Sequence, residues 1–109
     1  MSGKIGKRFF GPAQLANASA VLYTVPASRR STIRHIHFSN PTGGAVTVTM
    51  GIGADSAATR FLDGYSIPAG STYDFYCKID VETTEVIRGH ASAATSINCI
   101  IDGDEEIFA

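Results

Sequence analysis

Ala45-Val46-Thr47-Val48-Thr49-Met50-Gly51-Ile52-Gly53 is the stretch whose reading decides the fold. Val46, Val48, Met50 and Ile52 fall at every second position, with Ala45, Thr47, Thr49 and Gly51 between them. A period of two belongs to a strand with one apolar face buried and the other turned outward. Asn40-Pro41-Thr42-Gly43-Gly44 before it is a turn, and Gly53-Ala54-Asp55-Ser56 ends it.

Working outward, the same grammar recurs. Residues 21–25, Val-Leu-Tyr-Thr-Val, form a strand closed by Pro26-Ala27-Ser28. In residues 32–40, Arg34, Ile36 and Phe38 share one face while Ile33, His35 and His37 share the other. Ile36 and Phe38 are expected in the core, which leaves Ile33 outward or at a bulge. Arg60-Phe61-Leu62 and Tyr65-Ser66-Ile67 flank Asp63-Gly64, a hairpin signal. Tyr73, Phe75, Cys77 and Ile79 alternate with polar residues after the Pro68-Ala69-Gly70 turn. Residues 85–90 and 95–102 complete the set, the last with Ile97, Cys99 and Ile101 in phase and Asp102-Gly103-Asp104 as its stop. The expected core is Val46, Val48, Met50, Ile52, Tyr73, Phe75, Ile79, Ile97 and Ile101, with Ile36, Phe38, Val21 and Tyr23.

Seven or eight short strands at regular spacing, with no helical period, predict an all-β fold. It is a single antiparallel β-sandwich of jelly-roll or immunoglobulin-like type. Composition agrees: Val, Ile and Thr number 27 against three Leu and no Trp. A chain of 109 residues is one domain. It buries about 65% of its unfolded surface, enough for one modest core. Residues 1–20 lack the alternation and are expected as an extended N-terminal arm, with the sandwich spanning 21–109. The arm carries Lys4, Lys7 and Arg8 beside Phe9 and Phe10. Those five residues are the expected partner-binding set, with the Phe pair as anchor. The acidic end, Asp102 to Glu106, opposes the basic start, so the termini meet partners, or each other across a subunit boundary, or are simply two solvated tails.

Several function classes are excluded. A net charge of −1 and a sequence pI near 6.2 rule out a generic electrostatic nucleic-acid binder. Residues 9–28 and 35–54 are uncharged and about as long as a membrane span, but contain Pro, Asn and Gly. Neither is apolar enough, and the stretch between the basic start and Ala16 is too short and polar for a signal peptide. Cys77 and Cys99 read as two buried free thiols, with a disulfide between them as the alternative. His35 and His37 form an H-x-H pair on one strand face, close enough to share a metal. A cupin adds a Glu soon after such a pair and a His after its Pro-x-Gly; here Phe38 to Thr42 and Ser71-Thr72-Tyr73 stand there instead. His90 is the remaining imidazole, and nothing in the sequence places it nearby. No metal site, cofactor or catalytic residue is therefore expected: G-x-S-x-G, P-loop and dinucleotide signatures are absent.

Tyr23-Thr24-Val25-Pro26, then Thr32 to Asn40, then Ile67-Pro68-Ala69-Gly70-Ser71-Thr72, and finally Ile97 to Glu105 stand in a distinctive order. That order, covering about 21–105, resembles small virion proteins of tailed bacteriophages. The resemblance implies a β-sandwich structural component: a capsid decoration or cement protein, or a part of the neck, tail or fibres. It implies a non-enzymatic role, partners among the major capsid protein and other virion proteins, and location in the virion after assembly in the bacterial host cytoplasm. We expect a homo-oligomer, with a trimer favoured, and neither membrane nor specific nucleic acid as partner. A rival reading from another class is a host-surface glycan-binding module with Tyr65 and Tyr76 as stacking contacts.

Overall fold

The computed structural model describes residues 3–108. Eight strands follow one another: β1 (Gly3–Gln14), β2 (Ala20–Thr24), β3 (Arg29–Ser39), β4 (Val46–Ile52), β5 (Arg60–Ile67), β6 (Thr72–Val81), β7 (Val86–Ala91) and β8 (Asn98–Ile107). They form two four-stranded sheets, ordered β1-β8-β3-β6 and β2-β7-β4-β5. All the pairings are antiparallel. The outermost strands of the sequence pair with each other, the next pair inside them, and so on inward: β1 with β8, β3 with β6, β2 with β7, β4 with β5. This nesting is one long hairpin wrapped upon itself. It is the jelly-roll order, and it decides against the immunoglobulin-like alternative.

Between the sheets lies a core that includes Ile33, Ile36, Phe38, Val48, Met50, Ile67, Ile87, Ile97 and Ile101, all fully buried. Ile33 and Ile36 both face inward because β3 bulges between Ile33 and His35, where it has one residue more than β8 and, on its other side, one fewer than β6. The extra residue resets the alternation, so His35 and His37 turn outward while Phe38 stays inside. Asn40 closes the β3–β4 turn: its Nδ2 donates to the carbonyls of Gly44 and Ile67, each at 2.9 Å, and its Oδ1 accepts from Thr42.

Some elements differ from the expectation. Asp63-Gly64 is a bulge inside the single strand β5, since Leu62 and Tyr65 both pair with β4, opposite Met50 and Val48. Gly64 has φ +65°, which suits a bulge as well as a turn. Val21 is 47% exposed, because a register shift between Val21 and Tyr23 brings Leu22 and Tyr23 to the core instead. Tyr73, Phe75 and Ile79 face inward but are only half-buried, since β6 is an edge strand. Thr49 and Gly51 on the outward side of β4 are also buried; Gly51 lies against the backbone of Thr59 and Arg60.

The ends of the chain differ most. Gly3–Gln14 is extended, but it does not stand apart: it pairs along β8 and completes the first sheet. Phe9 is buried and its ring lies 5.0 Å from that of Tyr23. The division at residue 20 is thus not a break in the packing, because β8 offers an open edge and the core accepts the Phe9 ring. β8 runs through Asp102-Gly103-Asp104 to Ile107 rather than stopping there. The basic and acidic termini meet within one chain: Lys4, Lys7 and Arg8 stand opposite Glu106, Gly103 and Asp102.

Candidate functional site

Charge concentrates on the outer face of the first sheet. β8 presents Asp102 and Asp104 there, β3 presents Arg34, His35 and His37, and β6 presents Asp74, Tyr76, Lys78 and Asp80. Arg34 Nε donates to Asp104 Oδ2 at 3.0 Å, and Lys78 Nζ lies 3.6 Å from Asp80 Oδ2. These are exposed pairs of small individual worth.

At the β3–β6 seam the charges become an organised cluster. His37 stands directly opposite Asp74 and His35 opposite Tyr76. Asp74 Oδ1 receives both imidazoles, His35 Nε2 at 2.9 Å and His37 Nδ1 at 2.7 Å. The hydrogen bond to His37, then that to His35, holds the Asp74 carboxyl below its usual range. Tyr76, 75% exposed, stacks on His35 with centroids 4.6 Å apart and planes 14° from parallel. On the other side, Asp102 Oδ1 lies 3.9 Å from His35 Nδ1. His35 is thus held by its strand, an aromatic face and two carboxylates. The donor atoms of His35, His37 and Asp74 all lie within 4.8 Å of one another. The partner of the H-x-H pair is therefore Asp74, and His90 lies on β7 of the other sheet. Asp74 was legible as an outward residue of its strand; only the β3–β6 register brings it to the histidines.

Of the residues expected to bind a partner, Lys4 and Arg8 are exposed on β1 and Phe10 is half-buried. Phe9 is turned into the chain's own core. Lys7 is half-buried, its Nζ 3.6 Å from Glu105 Oε1 and 5.8 Å from the Tyr23 ring centre. An open groove of about 420 Å³ is lined by Gly6, Lys7 and Arg8 of β1, by Asp102, Gly103 and Asp104 of the middle strand β8, and by Arg34 of β3 on the far side. Tyr65 and Tyr76 do not form one stacking platform. Tyr65 on β5 stacks against Tyr73 at 4.3 Å, whereas Tyr76 is engaged with His35. Both cysteines are free thiols. No helix among the described residues is long and apolar enough to cross a membrane.

No family model and no curated protein matches this chain. Solved structures do share its fold. One is the infectious bursal disease virus VP2 subviral particle, at TM-score 0.57 and 9% identity, over 98% of this chain and 33% of that one. Another is the Gx strain of infectious bursal disease virus, at TM-score 0.55 and 11% identity, over 97% of this chain and 32% of that one. A third is a subunit of Bacillus endospore appendages, described as disulfide-linked pili. It gives TM-score 0.51 and 14% identity, over the whole of this chain and 88% of that one. The chain thus spans about a third of the viral chains and most of the pilus chain. At these identities the likeness is one of fold.

Proposed function

We propose that this protein is a non-enzymatic structural component of a bacteriophage virion. Its most direct role is that of a capsid decoration or cement protein that binds and stabilises the capsid lattice, as a homo-oligomer with a trimer favoured. The observation that carries the reading is the jelly roll itself, which recurs in virus particles and a pilus, taken with the order of turns and strands over 21–105. Its sheets end in β1, β6, β2 and β5, and assembly with neighbours covers such edges. Lys4 and Arg8, exposed along the outer strand β1, are the proposed partner contacts. Phe9, being internal, serves the fold instead.

The test is the copy number of this chain in purified particles, by quantitative mass spectrometry against the major capsid protein. Hundreds of copies, commensurate with the lattice, support decoration. A dozen or fewer favours the second reading, a neck, tail or fibre component. That reading draws on the pilus subunit, most of whose length this chain matches. Absence from particles overturns both.

A further inference from the structure

We propose that His35, His37 and Asp74 form a binding site for a divalent transition-metal cation of the zinc type on the outer face of the first sheet. This is independent of the virion reading.

The donor set selects the class of ion. Two imidazole nitrogens and one carboxylate oxygen suit zinc, copper or nickel, whereas calcium and magnesium take oxygen ligands. The geometry is close to what such an ion needs. Zinc binds nitrogen and oxygen at about 2.0–2.2 Å, so tetrahedral donors stand about 3.3 Å apart. Asp74 Oδ1 is already 2.9 Å and 2.7 Å from the two ring nitrogens. Opening those separations by about half an ångström, and drawing the two ring nitrogens closer within the 4.8 Å that the donor set spans, admits a cation in place of the shared protons. The side chains are partly exposed and have room for that adjustment: Asp74 is exposed, and His35 and His37 are half-buried.

The supports lie on strands rather than loops. His37 and Asp74 are register partners, and His35 is two pairs further along the same seam, hence on the same face. Tyr76 fixes the plane of the His35 ring. Asp102 faces the ring nitrogen that the ion leaves free, the position from which a carboxylate orients a ligating histidine. Three protein donors leave a fourth position open toward solvent, for water or for a side chain of a neighbouring molecule.

The experiment is calorimetric titration of chelator-treated protein with zinc chloride near neutral pH, with cobalt(II) absorption as a second readout of imidazole ligation. The expected result is one ion per chain with micromolar or tighter affinity. His37→Ala or Asp74→Ala should weaken it at least tenfold, and His90→Ala should leave it unchanged. Circular dichroism checks that each variant is folded, which exposed positions favour. Binding no tighter than millimolar overturns the proposal, as does binding unchanged in the His35→Ala/His37→Ala double variant. In either case Asp74 is only the shared hydrogen-bond acceptor of two imidazoles.

Discussion

Tyr23 Oη donates a hydrogen bond to the carboxylate of Glu105 and so ties the second sheet to the first. Glu105 is a charged residue with no exposure to solvent. Its other partners are Arg29 Nη1 at 2.7 Å, Ser31 Oγ at 3.0 Å and Lys7 Nζ at 3.6 Å. These come from β3 and β1, and Tyr23 from β2, so one carboxylate joins three strands to its own. A buried charge persists only when paired and hydrogen-bonded in this way. Removing it should hurt more than removing one donor. Glu105→Ala is expected to cost about 2–4 kcal/mol and Tyr23→Phe about 1–2 kcal/mol. Urea denaturation of the two variants checks the order.

The same cluster sets a pH dependence. Burial alone raises the Glu105 pKa, but the hydrogen bonds from Tyr23, Arg29 and Ser31 and the charge of Lys7 outweigh it and hold it below the ordinary 4.5. A depressed carboxylate stabilises the fold above its unfolded value, and that stability is lost as pH falls through the folded one. The denaturation midpoint should therefore drop below pH 4.5, and Glu105→Gln should flatten that limb. Some slope remains from Asp74 and from Asp80, which Thr32 holds down through its hydroxyl. On the alkaline side, burial and then the bond to Glu105 push the Tyr23 hydroxyl up to about 12 from 10.0. Its contribution is complete below pH 10 and should fade toward pH 12; Tyr23→Phe removes that limb.

Phe9 distinguishes a strand that belongs to the fold from one that only rests on it. Phe9→Ala should destabilise by about 3–5 kcal/mol, the usual cost of emptying a buried aromatic site. Arg8→Gln, one residue away on the exposed side, should stay within about 0.5 kcal/mol. If both were neutral in thermal denaturation, the first strand would contribute nothing to the core.

Gly103 faces the bulge of β3. A Cβ there would fall 1.9 Å from the Thr32 carbonyl oxygen and 3.0 Å from the Arg34 nitrogen, both backbone atoms that cannot swing aside. Gly103→Ala should cost about 1–3 kcal/mol through forced backbone shifts. Gly6→Ala, with nothing within 4 Å of its Cβ position, is the control and should be near neutral.

The two thiols should separate in reactivity. Burial pushes the Cys99 thiol up to about 12, and it also raises that of the half-buried Cys77. Only the thiolate attacks a disulfide reagent. In native protein at pH 8, Cys77 should react slowly and Cys99 not at all. In denaturant both should react at once.

Much of this was legible from residue order alone. The alternation in 45–53 and 72–79, the turn at Asn40 and the absence of helical period determine an all-β sandwich. Those are local properties, because a strand's faces follow from every second residue and a turn from its own four or five. Even the bulge of β3 is written there, as Ile33 and Ile36 spaced by three. Tertiary structure alone decided what depends on register. The nested strand order chose the jelly roll, and an open β8 edge drew the basic start into the sheet, with Phe9 in the core. Pairing of β3 with β6 set Asp74 between His35 and His37. Residues 37 positions apart meet only through a register set by the packing of the whole core, and no local period in the chain encodes that distance.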